Sequence, residues 1–264
     1  MTSASVSNTG AGAATPGRLP FSTWMRIYLR LFAVQGAWNY ESLLGNGIAF
    51  CMEPALRLLP GGRGGQQYAR ALARHARYFN AHPYFAGFAV GAFARAELDG
   101  VPPDLIERFR TALGGPLGSV GDRLVWASWL PLCSLVALTA FGLDARPLSV
   151  VAIFLVLYNF GHLSLRAWGL RVGFEKGLRV ADALGNPLLR RGPQYLGAVA
   201  AVLAGIAIPL AADRVIGAGR ATAAEVTVIA IVGGVLLSRF GERAEGWRLA
   251  LAILALFVIY SVVG

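Results

Sequence analysis

Long uninterrupted stretches of apolar residues constrain this chain of 264 residues more than any other feature. A helix needs about 20 apolar residues to cross the ~30 Å hydrocarbon layer of a bilayer. Runs of this kind lie at residues 124–143, 148–165, 194–212, 226–238 and 247–263. The run at 226–238 is short and needs the residues before it to complete a span. The pattern predicts an all-α membrane protein with about five transmembrane helices.

The composition agrees with a lipid environment. Only 14% of the residues are charged, whereas soluble domains carry about a quarter. The net charge of +10 is almost entirely arginine, with Lys176 as the single lysine. Because the arginines lie between apolar runs, membrane topology explains them better than a nucleic-acid surface does. We therefore expect the lipid bilayer, and no nucleic acid, as a partner.

The distribution of the basic residues predicts the orientation. They concentrate in segments 166–193 and 239–248, which the positive-inside rule places in the cytoplasm. Counting spans from these segments puts the N-terminus in the cytoplasm and the C-terminus outside. We divide the chain into a disordered tail, an N-terminal helical region with interfacial or re-entrant segments, and a transmembrane bundle, at residues 1–19, 20–123 and 124–264.

The N-terminal region is expected to hold helices at residues 21–45 and 47–59, followed by a glycine-rich turn. The next segment, QQYARALARHARYF at residues 66–79, carries an arginine stripe beside an aromatic stripe. This pattern fits a helix at an anionic membrane surface or an ordinary amphipathic helix equally well.

The stretch RYFNAHPYFAGFAVG, residues 77–91, interrupts this region with Asn80, His82 and Pro83. Proline ends a helix and favours extended geometry in the residue before it. An apolar helix is expected to resume at residues 84–98. It is too short to span, which favours a re-entrant or buried position. Gly87 and Gly91, four residues apart, would let another backbone approach closely.

A second unusual stretch, GGPLGSVGD, ends at Asp122. It lacks the GK[ST] ending of a phosphate loop, and its glycines, including Gly115, Gly118 and Gly121, predict a break between helices. Asp122 leads into an apolar run, so its carboxylate needs a partner or solvent. Arg123 is the nearest candidate partner.

Other polar residues are candidates for a watery path or a subunit interface. Asn39 and Glu41 stand in an otherwise uncharged stretch, although Glu41 is equally compatible with an ordinary surface position. Asn159, His162 and Arg166 fall on one face of a helix. They form either a snorkelling arginine with interfacial neighbours or a polar stripe that packs against another subunit.

The sequence predicts no catalytic constellation, no metal site and no cofactor. Cys51 and Cys133 are far apart and lack ligand spacing, and the three histidines form no metal motif. A self-contained membrane enzyme is therefore the weakest of the functional hypotheses.

Four blocks of sequence, in order, resemble the IID membrane component of the mannose/fructose/sorbose family of bacterial phosphotransferase systems. The blocks are VQGAWNYESLLGNGIAFCMEPALRLL at 34–59, FNAHPYFAG at 79–87, GPLGSVGDRLVW at 115–126 and YNFGHLSLRAWGLRVGFEKG at 158–177. Together they cover about residues 27–180.

The resemblance implies a helical subunit of the bacterial inner membrane that forms a hexose path with a IIC subunit. In that family, soluble IIA and IIB proteins relay phosphate through phosphohistidines, and the sugar is phosphorylated as it enters. The IID component would not be catalytic alone. The family assembles as a trimer of IIC–IID pairs.

The resemblance also implies roles for the polar and glycine residues within the blocks. We expect the substrate path or the subunit interface to involve Asn80, His82, Pro83, Asn39, Glu41, Asp122, Asn159, His162 and Arg166. The glycines Gly87, Gly91, Gly115, Gly118 and Gly121 would be structural.

The chain departs from the family pattern at three positions. The family usually has GIGD followed by a small residue or proline, whereas here Ser119 and Arg123 stand beside Asp122, and Ala81 replaces a threonine. These departures keep an alternative open, in which the chain is a membrane scaffold that recruits phosphotransferase proteins for regulation without transporting sugar.

Overall fold

The computed structural model of the protein describes residues 18–216, and this part of the chain is helical. Residues 18–216 contain no β-strand. Their only bridge pairings join Leu43 to Asn39 and to Phe79. The predicted all-α fold class is confirmed.

The α-helices of residues 18–216 follow one another with short connections. They are α1 (Phe21–Arg30), α2 (Gly45–Leu56), α3 (Gln66–His75), α4 (Ala86–Leu98), α5 (Pro103–Gly121), α6 (Leu130–Gly142), α7 (Pro147–Lys176), α8 (Ala181–Leu184) and α9 (Pro187–Ile216). A π-helical segment, Asp122–Trp129, joins α5 to α6. Short 3₁₀ turns occupy Leu31–Ala33, Gly62–Gly64, Pro83–Phe85 and Gly177–Arg179.

Three helical stretches are long and apolar enough to cross a membrane. They are Pro103–Gly142, Pro147–Arg179 and Ala181–Val215. They cover the first three apolar runs of the sequence, apart from residue 143. The runs at 226–238 and 247–263 lie outside the described residues, so the expected number of about five spans stays a prediction.

Residues 18–216 divide into two compact units. The first comprises residues 18–131 and 155–197, and the second comprises residues 132–154 and 198–216. In the second unit, the guanidinium of Arg214 donates to the carbonyl oxygen of Phe141 and lies 3.4 Å from a carboxylate oxygen of Asp144. These contacts tie the end of α9 to the turn after α6.

The core of the first unit is built around α4. Every residue from Ala86 to Ala94 is buried, and Phe85, Phe88 and Phe93 are fully enclosed. A helix that is apolar on all sides is stable only when it is covered on all sides. Each large apolar side chain buried in this way contributes about 1.5–3 kcal/mol. The segment is therefore buried within the first unit, and its position relative to the membrane stays a prediction.

The close approach of α4 to α7 depends on glycine. A Cβ atom on Gly87 would lie 2.8 Å from the carbonyl oxygen of Arg166, and one on Gly91 would meet the backbone of Leu170. On α7, a Cβ atom on Gly173 would meet the carbonyl oxygen of Phe88. Both helices therefore contribute glycine to a contact that is made backbone to backbone.

One arginine cluster in the first unit was not anticipated from the sequence. The Glu53 carboxylate accepts from Arg57 at 2.7 Å, from Arg63 at 3.0 Å and from the Tyr68 hydroxyl at 3.2 Å. Arg30 lies 3.0 Å from it. Burial raises the pKa of Glu53, but the arginine hydrogen bonds outweigh burial and lower it to about 2.

A second buried ionic group joins α3 to α4. His75 Nε2 lies 2.8 Å and Arg74 Nε 3.0 Å from Glu97 Oε1. Burial lowers the pKa of His75, so the neutral ring donates from Nε2 to the carboxylate. Burial raises the pKa of Glu97, but the hydrogen bonds from His75 and Arg74 lower it further than burial raises it.

Two sequence expectations about helix ends are wrong. The helix expected at residues 21–45 ends with the 3₁₀ turn at Ala33, and a turn stabilised by the Asn39 side chain follows before α2 begins. The break expected at GGPLGSVGD is absent, since α5 continues to Gly121 and the π-helical segment follows directly. Two of its glycines, Gly114 and Gly121, lie against the loop at residues 80–82, whereas a Cβ atom on Gly115 would meet nothing within 4 Å and one on Gly118 would be 4.0 Å from Ala81.

Candidate functional site: an aromatic and histidine cluster

The HPY sequence at residues 82–84 forms the centre of a cluster in the first unit. His82 is extended, with φ −63° and ψ 131°, and Pro83 begins the 3₁₀ turn that leads into α4. The Tyr84 backbone N–H donates to His82 Nδ1 at 3.1 Å. His82 is buried, whereas the neighbouring Asn80 is exposed.

Helix α5 packs against this loop through its glycines. A Cβ atom on Gly114 would lie 2.7 Å from the carbonyl oxygen of Asn80, and one on Gly121 would collide with the His82 ring. Larger side chains at either position would push the loop away from the helix. The FNAHP and GGPLGSVGD motifs therefore pack against each other.

Helix α7 supplies a second set of polar and aromatic side chains. The hydroxyl oxygens of Tyr84 and Tyr158 are 2.7 Å apart, and the His162 ring stacks on Tyr84 with centroids 5.0 Å apart. Asn159 donates to the carbonyl oxygen of Leu155 at 2.6 Å, and its Oδ1 lies 2.9 Å from His162 Nε2. Because this amide oxygen accepts only, His162 Nε2 donates.

Arg166 is buried inside the cluster and contacts several of its members. Its guanidinium lies 4.8 Å from the ring centroid of Tyr84 and 5.5 Å from that of Phe32, and it donates to the carbonyl oxygen of Leu31. Within residues 18–216 it forms no salt bridge. The two ring faces take the place of a carboxylate.

Trp126, on the π-helical segment, covers His82. The two ring centroids are 5.0 Å apart, and the Trp126 ring is also 5.9 Å from Tyr84. Trp126 remains 44% exposed. Segments of π-helix are rare and often occur at functional sites.

The electrostatics of the cluster favour an uncharged His82. Burial, followed by the positive charge of Arg166, lowers its pKa from 6.5 to about 4. The structure thus brings together His82, Pro83, Asn159, His162 and Arg166 from the residues selected on sequence grounds. Asn80 borders the group through its backbone.

The remaining candidates lie apart from the cluster. Asn39 Oδ1 accepts from the backbone N–H groups of Glu41 and Ser42, at 3.0 and 2.9 Å. This turn leads to Leu44, whose N–H donates to the carbonyl oxygen of Phe79 at 3.0 Å. Asn39 therefore supports the loop beside Asn80.

Two acidic candidates are exposed. Glu41 and Asp122 both lie at the surface of the first unit. The predicted partner of Asp122, Arg123, instead donates to the carbonyl oxygen of Ser119 at 3.3 Å. The predicted pairing of Asp122 with Arg123 is therefore not observed, and the Asp122 side chain is exposed instead.

Three aromatic members of the cluster were missed: Tyr84, Trp126 and Tyr158. Each lies inside one of the quoted motif blocks, Tyr84 directly after Pro83 and Tyr158 directly before Asn159. Their positions inside the motif blocks could have indicated a role in the site, but an aromatic residue in an apolar segment is usually a core residue.

Comparison with known proteins agrees with the motifs. A family model described as the PTS system mannose/fructose/sorbose family IID component matches residues 19–208. The PTS system mannose-specific EIID component of Escherichia coli (strain K12) is 28% identical over 215 residues, covering 76% of this chain and 75% of that protein. The fructose permease IID component of Bacillus subtilis (strain 168) is 32% identical over 181 residues, covering 65% and 64% of the two chains.

A solved structure shares the fold. The cryo-EM structure of the mannose transporter ManYZ in complex with microcin E492 (MceA) contains a chain that matches with a TM-score of 0.55 and 20% identity, covering 94% of this chain and 98% of that one. The resemblance inferred from the four sequence blocks is confirmed. Because the family model spans well over half of its residues, the chain belongs to the IID components of the mannose/fructose/sorbose family of phosphotransferase systems.

Proposed function

We propose that this IID subunit forms, together with a IIC membrane subunit, the path by which a hexose enters the cell and is phosphorylated. The observation that carries the proposal is the convergence of three family blocks on one cluster, through His82, Gly121 and His162. The names of its relatives, mannose-specific and sorbose-specific components and a fructose permease, support a sugar as the substrate.

The phosphate in this proposal comes from soluble IIA and IIB partners. The subunit assembles with IIC, as a trimer of IIC–IID pairs, in the inner membrane of a bacterium. Its N-terminus lies in the cytoplasm and its C-terminus outside. The arginine distribution along the sequence supports this orientation.

The candidate residues divide by exposure in this proposal. Asn80, Glu41 and Asp122 are exposed and would face the sugar path or the IIC subunit. Arg166 is buried and Asn39 is mostly occupied by its own turn, so both would hold the site rather than contact a partner.

Uptake of labelled sugar tests the proposal. Cells carrying this gene, cells lacking it and cells with the gene restored are given labelled mannose, glucose, fructose and N-acetylglucosamine. We expect deletion to abolish uptake of at least one sugar, restoration to recover it, and Asn80→Ala to weaken it at an unchanged membrane level.

A matched experiment tests the partner. Affinity purification of the tagged full chain from the membrane is expected to recover a IIC subunit. If no sugar's uptake depends on the gene while soluble phosphotransferase proteins copurify with the chain, it is a regulatory scaffold and the transport proposal fails.

A further inference from the structure

The two ring nitrogens of His82 have different surroundings. Nδ1 accepts a hydrogen bond from the Tyr84 backbone N–H at 3.1 Å. A nitrogen that accepts cannot also carry the proton, so a neutral ring held in this way carries its hydrogen on Nε2. The loop geometry therefore fixes the tautomer of His82. Its buried position beside the Arg166 charge, which lowers its pKa to about 4, keeps the ring neutral.

The Nε2–H group of His82 has no hydrogen-bond partner within residues 18–216, although the residue is only 2% exposed. Buried donors are almost always paired, and an unpaired one requires an explanation. The rings that surround His82 belong to Tyr84, Phe85 and Trp126. They hold the imidazole in place through ring contacts.

Trp126 is the exposed member of this group of rings. Its ring covers His82 at 5.0 Å, yet 44% of the residue is exposed, which leaves the side chain room to turn aside. An exposed aromatic face beside one fixed polar group is the combination that small-molecule sites use, with the apolar surface providing contact area and the polar group providing selectivity.

The charge of the cluster points to an uncharged ligand. Arg166, whose positive charge acts on His82, donates to the carbonyl oxygen of Leu31 and lies over the rings of Phe32 and Tyr84. It is 4% exposed and cannot meet a phosphate without leaving these contacts. The cluster therefore offers a ligand only the neutral Nε2–H donor of His82, and this donor suits a hydroxyl oxygen.

We propose that His82 Nε2–H donates to a hydroxyl oxygen of the free sugar, that Trp126 packs against the sugar ring, and that the same site does not hold the sugar phosphate. This inference rests on the proposed transport function and goes beyond it, because it assigns the donor, the platform and the preference for the unphosphorylated form.

A pair of substitutions at one position separates recognition from folding. In His82→Asn, the amide oxygen stands near the place of Nδ1 and can still accept from the Tyr84 N–H, but the donor at the place of Nε2 is gone. In His82→Gln, the longer side chain returns an N–H donor toward that place and gives up the Nδ1 acceptor. His82→Asn thus keeps only the acceptor role of Nδ1, and His82→Gln keeps only the donor role of Nε2.

The experiment measures initial uptake rates in cells producing the complete transporter, with mannose, glucose, fructose and N-acetylglucosamine as probes. We expect His82→Asn to raise the half-saturating concentration of the transported sugar at least tenfold, with a membrane level within twofold of the wild type. We expect His82→Gln to stay closer to the wild type than His82→Asn. Trp126→Ala should raise the half-saturating concentration, and Trp126→Phe should raise it less.

Binding to the purified membrane complex tests the preference for the free sugar. The sugar that the cells take up and its 6-phosphate are compared by calorimetry, and we expect the free sugar to bind at least tenfold more tightly. Equal or tighter binding of the phosphate would overturn the preference. Unchanged uptake by His82→Asn, or losses in both His82 variants that simply follow their membrane levels, would overturn the donor assignment.

The inference and the function on which it rests fail in different ways. If uptake of no probe sugar depends on the gene, both are overturned. If wild-type uptake depends on the gene and His82→Asn transports normally, only the inference is overturned.

Discussion

Gly91 on α4 lies so close to α7 that a Cβ atom there would meet the carbonyl oxygen of Leu170. The Cβ atom would be fixed to the backbone of α4 and the carbonyl oxygen belongs to the backbone of α7, so neither side can yield by turning a side chain. This contact holds α4, and with it the loop at His82, against the helix that carries His162.

Replacing Gly91 with alanine should therefore destabilise the protein. Overpacking a tight contact costs about 1–3 kcal/mol, and thermal unfolding of the protein in detergent should occur at a lower temperature. Gly197→Ala is the control, because nothing lies within 4 Å of a Cβ atom at Gly197 on α9. Alanine in a helix interior is about 0.5–1 kcal/mol better than glycine. Equal unfolding temperatures for the two variants would contradict the packing described.

Glu53→Gln should cost more stability than any exposed charge change. Several arginines would lose their common carboxylate, and because Arg57 and Arg63 are 32% and 65% exposed, the loss should stay below the about 3–5 kcal/mol typical of a fully buried pair. The control is Glu175→Gln, whose partner Arg171 is 63% exposed. Exposed pairs contribute about 0–1 kcal/mol. Denaturation in detergent compares the two, and a Glu53 variant as stable as the Glu175 variant would argue against the cluster.

Arg166→Lys should weaken the first unit although the charge is kept. Lysine lacks the planar group that lies over Tyr84 and Phe32 and reaches the Leu31 carbonyl oxygen. We expect a loss of about 1–3 kcal/mol from the ring contacts and the hydrogen bond together. Arg171→Lys, at an exposed position, should be nearly silent. Thermal unfolding of both variants measures the difference, and equal effects would mean that only the charge of Arg166 matters.

The neutrality of His82 predicts a pH dependence of stability. Its pKa of about 4 in the folded protein lies below the ordinary value of 6.5. The unfolded chain therefore takes up the proton first as the pH falls, and stability is complete above pH 6.5 and declines toward pH 4. This decline amounts to on the order of 3 kcal/mol, from 1.36 kcal/mol per pH unit.

Unfolding of the wild type and of His82→Asn between pH 7 and pH 4 checks this prediction. The wild type should lose more stability over this interval than the variant, which has no group to protonate at this position. His75, which is present in both proteins, contributes equally to both. Parallel declines in the two proteins would show that His82 titrates normally.

The sequence was sufficient for the fold class, because apolar runs of spanning length allow only helices in lipid. It was also sufficient for the interruption at His82, where proline restricts its own residue and the one before it. It failed at GGPLGSVGD, where glycine suggested a break. Glycine also serves as a contact surface, and only the position of the His82 loop beside Gly121 decides which role applies.

The polar residues of the site could be predicted from the sequence, but its aromatic residues could not. Polar residues in an apolar segment attract attention because burying them is costly, and this selected Asn159, His162 and Arg166. Tyr84 and Trp126 carry no such cost, so nothing in their spacing marks them as ring partners of His82. Glu53 was missed because its arginine partners come from separate segments, and sequence spacing reveals only the one at Arg57.

The arrangement around Glu53 constrains the acidic position more strongly than the three basic positions. Any one of Arg30, Arg57 and Arg63 can change while the other two still neutralise the carboxylate. The anion has no substitute, since the three arginines converge on one side chain. Over evolutionary time the basic positions of this group should therefore vary among related sequences one at a time, each tolerated by the others. The single acidic position should stay fixed, although nothing about Glu53 suggests contact with sugar.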